Sequence, residues 1–246
     1  MEKGRKTAII TGASRGIGHA SAALFLDRGW RVITCSREDI PDTCKRNKNW
    51  TAHIAVDLAN AESIANFILR ANQEMDGEPL GALINNAGIS PKAENQERLG
   101  CLNGDIDAWR DVFELNFYAP LKLGRGFAAA LHKGGGAIVN VTSIAGHMIH
   151  PFAGSAYSSS KAALSALTRE MANEFAALNV RVNAVAPGEI STKMIQPEYE
   201  MLIPRIPLNR MGTPEDVART IHYLCSEDSE YVTGTEVWVT GGQHMS

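Results

Sequence analysis

The chain has 246 residues, 24 Lys and Arg against 27 Asp and Glu, and a formal net charge of -3. That length is sufficient for one large α/β domain spanning residues 1–246, and the balance leaves no basic stripe for nucleic acid and no polybasic patch for a membrane surface. No apolar stretch reaches membrane length, and Met1 to Lys6 run straight into an apolar strand, so a cytoplasmic protein acting on a small molecule is expected. Cys35, Cys44, Cys101 and Cys225 are scattered without metal-ligand spacing, so neither a metal site nor a disulfide framework is expected.

Thr7 to Thr11 is a short apolar run of strand type. It meets Gly12, Ser14, Arg15, Gly16, Ile17 and Gly18 in the segment TGASRGIG, and an Ala-rich helical stretch follows to about Arg28. Strand, glycine turn and helix in that order let backbone N–H groups approach a pyrophosphate at the positive end of the helix. The segment resembles the TGxxxGxG form of the short-chain dehydrogenase/reductase superfamily, in its short, roughly 250-residue branch. The resemblance extends over nearly the whole chain. With the alternation of strands and helices it implies a Rossmann-type, doubly wound α/β sheet of about seven parallel strands.

The second strand, Arg31 to Cys35, leads into Ser36 and Arg37, where an NAD-binding unit usually places a carboxylate. A carboxylate would repel a 2′-phosphate. Arg37 offers that phosphate a fork and Ser36 a hydroxyl, and Arg15 resembles the second basic residue of NADP-preferring relatives, so NADP(H) is the expected cofactor. The third strand ends at Asp57 and Leu58, which by resemblance meet the adenine; a plain strand-end Asp is the competing reading. A fourth strand from Ala82 to Asn85 runs into Asn86, Ala87 and Gly88, similar to the family's NNAG signature, with Asn85 expected to tie neighbouring strands together.

Residues 89–107 read as an irregular loop at a substrate mouth. A long helix from about Asp107 to Leu131 follows and carries Asn116, which the resemblance makes a catalytic residue that bends the helix and links the lysine to solvent through a water. Ala137 to Thr142 form the fifth strand, and Ser143 follows at its carboxyl end. A hydroxyl there can donate to a carbonyl oxygen and hold it in place. Ser143 as a nucleophile with His147 or His150 is rejected for want of a GxSxG elbow.

Tyr157 and Lys161 stand four residues apart in a helical run, hence on one face. For a phenol to exchange a proton near neutral pH its pKa must fall by roughly 2 to 3 units, or about 3 to 4 kcal/mol. An ammonium about 5 Å away at an effective dielectric near 20 contributes about 3 kcal/mol. Asn116, Ser143, Tyr157 and Lys161 together match the family's catalytic tetrad, and Tyr157 and Lys161 also meet the cofactor ribose in it.

The sixth strand runs into Pro187, Gly188, Ile190 and Thr192, resembling the PGxxxT segment that holds the nicotinamide carboxamide. Residues 189–212 read as a substrate lid, and Met148, His150, Phe152 and Met194 as substrate-pocket residues alongside Ser143. Thr213, Pro214 and Asp216 signal the start of another helix, and Glu236 to Thr240 the closing strand, at the end that packs between subunits in relatives; a homotetramer is expected. The function expected is reduction of a ketone to a secondary alcohol by NADPH. The alternatives are a 3-oxoacyl-carrier-protein reductase, an NAD-dependent alcohol or sugar dehydrogenase, and a catalytically idle NADP(H)-binding sensor. Against the first stand Gly134 and Leu178, where carrier-gripping relatives place basic residues.

Overall fold

A computed structural model of the protein describes residues 6–38, 48–93, 97–192 and 197–245. Seven strands, β1 (Thr7–Thr11), β2 (Arg31–Ser36), β3 (Trp50–Ala55), β4 (Leu80–Asn85), β5 (Ala137–Val141), β6 (Arg181–Pro187) and β7 (Glu236–Val239), form one sheet in the order β3-β2-β1-β4-β5-β6-β7. Every neighbouring pair is parallel, as expected of a chain that alternates strand and helix. The order reverses between β1 and β4, which opens a crevice at their carboxyl ends.

Alternate residues of the central strands serve opposite faces of the sheet. Ile9, Leu83 and Ile138 pack with Phe67, Phe127, Met171 and Phe175, from helices α2 (Ala61–Met75), α4 (Ala119–Gly134) and α5 (Ser155–Phe175). Ala8, Ile10, Ile84 and Val139 pack on the other face with Phe25, Val217 and Ile221, from α1 (Gly16–Asp27) and the later helix Pro214–Cys225. That later helix starts as the sequence predicts, with the Thr213 hydroxyl accepting the Asp216 N–H and the Asp216 carboxylate accepting the Thr213 N–H. Polar cross-ties pin the sheet where apolar packing alone would leave it free to slip. Asn85 Nδ2 donates to Asn140 Oδ1 at 2.9 Å, joining β4 to β5, and Asn140 Nδ2 donates to Thr168 Oγ1 of α5 at 2.9 Å.

One expectation is corrected. The single long helix over Asp107–Leu131 is α3 (Ile106–Phe113), a π-helical turn over Glu114–Tyr118, and α4. Pro120 explains the break: it has no N–H to give the Asn116 carbonyl, and its ring would collide with that carbonyl in a regular helix. In the segment expected to act as a lid, residues Pro197–Arg205 wind into 3-10 turns. The thiols of Cys35 and Cys225 are buried and their pKa values pushed up to about 12 by that burial, which leaves them inert packing groups; Cys44 lies outside the described residues. Among the described residues no helix is long and apolar enough to cross a membrane.

Candidate active site

A cleft of about 610 Å³ runs along the carboxyl ends of the strands, from Arg37 past Tyr157 to Tyr199. Its inner floor is the turn after β1. Gly18 does not line the cleft; it lies behind the turn, where a Cβ would stand 2.3 Å from the Gly12 carbonyl oxygen and 2.5 Å from Asn86 Nδ2. Asn86 Nδ2 in turn donates to the Thr11 and Gly12 carbonyls, so the turns after β1 and β4 are clamped to each other. Gly12, Ser14, Arg15, Gly16 and Ile17 face the cleft from the first turn, and Asn86, Ala87 and Gly88 from the second. A backbone cradle this close, opening at the start of α1, fits a dinucleotide pyrophosphate.

Ser36, Arg37, Asp57 and Leu58 line the cleft beyond β2 and β3, and Arg15 lines it from the glycine turn. Glu38 joins them, a carboxylate one position beyond Arg37. The expected role of Ser36 needs correction. Its hydroxyl is nearly buried and donates to the Glu38 carbonyl oxygen at 2.5 Å, with His53 Nε2 at 3.2 Å, so its proton is already committed. Pro187, Gly188, Ile190 and Thr192 line the cleft from the loop after β6.

Ser143, Tyr157 and Lys161 of the expected tetrad line the cleft together, with the fourth, Asn116, close behind them. Ser143 caps the turn Ile144–Gly146 by accepting the Ala145 N–H, and it lines the cleft together with Tyr157. Lys161, one turn along α5, is 3% exposed; Nζ donates to the Val141 carbonyl oxygen at 2.7 Å and lies 5.7 Å from the centre of the Tyr157 ring. Asn116 sits behind the cleft wall, held between Ile89 and Ser160. A methyl group added at Gly88 would crowd Asn116 Oδ1 at 3.2 Å and touch Lys161 Nζ at 3.4 Å, so the glycine lets the β4 turn lie against both without displacing the amide.

Electrostatically the site differs from the expectation. Although Tyr157 keeps part of its surface on the cleft, desolvation pushes the phenol pKa up; the Ser143 hydroxyl lowers it in part, and the Glu189 carboxylate raises it further. Lys161 answers burial in the opposite sense, its pKa lowered from 10.5 to about 8. Four residues of spacing correctly put the two side chains on one face, but burial of both was not legible from spacing.

Of the expected pocket residues, Ser143, His150 and Phe152 line the cleft. Met148 does not; it is exposed beyond the Ile144–Gly146 turn, and Met194 lies outside the described residues. His147 is drawn away to Glu236, with Nε2 2.8 Å from Oε2. Sequence reasoning missed Glu189, inside the PGxxxT segment, whose Oε1 accepts from His150 Nε2 at 2.7 Å. It also missed Tyr199, whose ring lies 4.6 Å from that of Phe152. A carboxylate between Gly188 and Ile190, in an otherwise apolar strand end, was the available signal for the first.

A family model described as enoyl-(acyl carrier protein) reductase matches residues 12–244. The chain is 48% identical over 242 residues to Protein FixR of Bradyrhizobium diazoefficiens, covering 98% of this chain and 87% of the relative. It is 36% identical to the 3-oxoacyl-[acyl-carrier-protein] reductase FabG of Pseudomonas aeruginosa, covering 98% of each. A solved short-chain oxidoreductase from Brucella ovis, in complex with a partially ordered NAD, superposes with a TM-score of 0.82 at 47% identity, covering 96% of this chain and 99% of that one. Likeness of this extent, end to end and in both sequence and fold, has one reading: the chain belongs to the short-chain dehydrogenase/reductase superfamily, oxidoreductases that bind nicotinamide cofactors and interconvert CH–OH and C=O groups.

Proposed function

We propose that the protein is a carbonyl reductase that uses NADPH to convert a ketone to a secondary alcohol. The observation that carries this reading is the half-buried Tyr157 phenol on one cleft with Ser143, with Lys161 Nζ 5.7 Å from the centre of its ring. A bound dihydronicotinamide supplies the hydride for the carbonyl carbon. Burial keeps Tyr157 protonated, which is the state needed to give a proton to the carbonyl oxygen. Ser143 donates to the same oxygen and sets its position. Lys161, with Nζ 5.7 Å from the ring centre, opposes the negative charge left on the phenol. Asn116 positions Ile89 and the helical turn carrying Ser160 and Lys161, so the β4 turn and α5 keep their spacing.

Arg15 and Arg37 support NADP(H), because both can meet a 2′-phosphate at the adenosine end of the cleft. Glu38 at that end, and the NAD in the Brucella ovis structure, favour a second reading in which NAD(H) is used. Similarity to FabG favours 3-oxoacyl thioesters as substrates; Gly134 and Leu178, without basic side chains, weigh against a carrier protein presenting them. We read the protein as a cytoplasmic homotetramer, with β7 at the sheet edge offering half-exposed residues to a neighbouring copy.

The test is the loss of reduced-cofactor absorbance across ketones, quinones, sugars and short 3-oxoacyl thioesters, run with NADPH and NADH in parallel. Turnover with NADPH exceeding that with NADH is the expected result. Tight cofactor binding without turnover of any carbonyl would replace the reductase reading with that of a cofactor sensor.

A further inference from the structure

The loop after β6 carries an acidic side chain into the end of the cleft beyond Tyr157. Glu189 is 5% exposed, and its Oε1 accepts from His150 Nε2 at 2.7 Å and from Gln243 Nε2 at 3.2 Å. His150 brings no compensating charge in this arrangement. Its Nδ1 accepts the N–H groups of Phe152 at 3.2 Å and Ala153 at 3.1 Å, so the ring proton is on Nε2 and is given to Glu189. Both neutral donors end on one oxygen, and among the described residues no donor reaches Oε2. A carboxylate withdrawn from water to this degree is costly until a cation or further donors complete its shell.

Around it stand three rings. His150 and Tyr199 have centroids 6.0 Å apart, Phe152 and Tyr199 4.6 Å, and His150 and Phe152 6.2 Å. Aromatic rings beside a desolvated carboxylate make surroundings suited to an ammonium group and poor for a second anion. The cations already on this part of the cleft are committed elsewhere: Lys161 donates to the Val141 carbonyl and Lys92 Nζ to the Phe152 carbonyl at 3.0 Å. Asp111, exposed on the same cleft, adds negative charge.

We propose that Glu189 is a specificity residue that receives an ammonium group, so that the ketone or alcohol this protein acts on carries a positively charged amine near the reacting carbon. This deepens the carbonyl-reductase reading and rests on it for the chemistry, though not for the binding. The arrangement also couples binding to reaction. The Glu189 carboxylate raises the Tyr157 pKa, and a cation seated on it cancels that field.

Aminoacetone and butanone test this, since they have the same number of heavy atoms and differ at one end by an ammonium against a methyl group. Near neutral pH, kcat/KM for aminoacetone should exceed that for butanone by about 10- to 100-fold, the range of a charge-assisted hydrogen bond. Glu189→Gln should collapse that ratio and shift the pH profile for butanone to lower pH, while Glu189→Asp should retain part of the ratio. Independently of turnover, calorimetry on the complex with reduced cofactor should show 1-amino-2-propanol binding more tightly than 2-butanol, a preference lost in Glu189→Gln. Preferential amine binding without turnover of any carbonyl would uphold the ammonium site and overturn the reductase reading. Equal kcat/KM and equal binding for the two members, or a ratio unaltered by Glu189→Gln, would overturn the inference and reduce the Glu189–His150 pair to a latch between two loops.

Discussion

Asn116 and Ile89 exchange two hydrogen bonds: the Ile89 N–H donates to Asn116 Oδ1 at 2.9 Å, and Asn116 Nδ2 donates to the Ile89 carbonyl oxygen at 3.0 Å. A side-chain amide thus completes the backbone of the segment after Gly88 as a neighbouring strand would. Nδ2 also reaches Ser160 Oγ, one residue before Lys161, at 3.0 Å. The π-helical turn that Pro120 imposes places this amide between the two elements.

Asn116→Ala leaves the Ile89 N–H and carbonyl without partners in a site where Asn116 is wholly buried. The expected cost is about 1 to 3 kcal/mol of stability, read from a urea melt, together with a fall in kcat larger than the change in cofactor affinity. Asn116→Asp, which keeps the acceptor for Ile89 N–H and loses the donor, should fall between wild type and alanine in kcat.

Tyr157→Phe removes the proton donor and little volume. Turnover should fall by about 10²- to 10⁴-fold, the range of general acid catalysis, while a fluorescence titration with reduced cofactor should give a dissociation constant close to that of wild type. A variant that keeps a near-normal rate would require a different acid.

The Lys161 pKa, lowered from 10.5 to about 8, has a consequence for stability. Below pH 8 both states carry the charge, and the folded state bears the full penalty of burying it. Between pH 8 and 10.5 the unfolded chain still holds the proton while the folded protein has released it, so unfolding takes up a proton and the penalty fades as pH rises. The shift corresponds to about 3 kcal/mol. Lys161→Met should therefore gain most over wild type at pH 7 and progressively less towards pH 10, measured by urea melts at each pH, while losing catalysis at all of them.

Arg15→Ala and Arg37→Ala test the cofactor reading. If the two guanidinium groups meet a 2′-phosphate, each substitution should weaken NADPH binding by about 10-fold or more, as loss of a charged hydrogen bond does, and leave NADH binding nearly unaltered. Equal effects on the two cofactors, or tighter NADH binding in wild type, would favour NAD(H) with Glu38 at the ribose.

The order of strands and helices was legible in the chain because parallel strands buried on both faces read as short apolar runs, and Gly12 to Gly18 mark a strand-to-helix turn of the kind that lets a ligand approach the backbone. The helix start at Thr213 was equally local, since cap and acid lie three residues apart. Tyr157 and Lys161 were legible as neighbours for the same reason, one helical turn.

Burial and cross-chain partnership belonged to the tertiary structure. Ser36 reads as a free donor until the fold turns its hydroxyl onto the Glu38 carbonyl, and Met148 reads as a pocket residue until the turn after Ser143 carries it outside. Glu189, His150 and Gln243 come from three separate stretches and acquire their meaning only when β5, β6 and β7 align side by side and bring the segments that follow them together. Hydrophobic period and turn chemistry act over a few residues and are written in the chain. The dielectric around a side chain is set by whatever the fold packs against it, and that decided which way the phenol of Tyr157 and the ammonium of Lys161 moved.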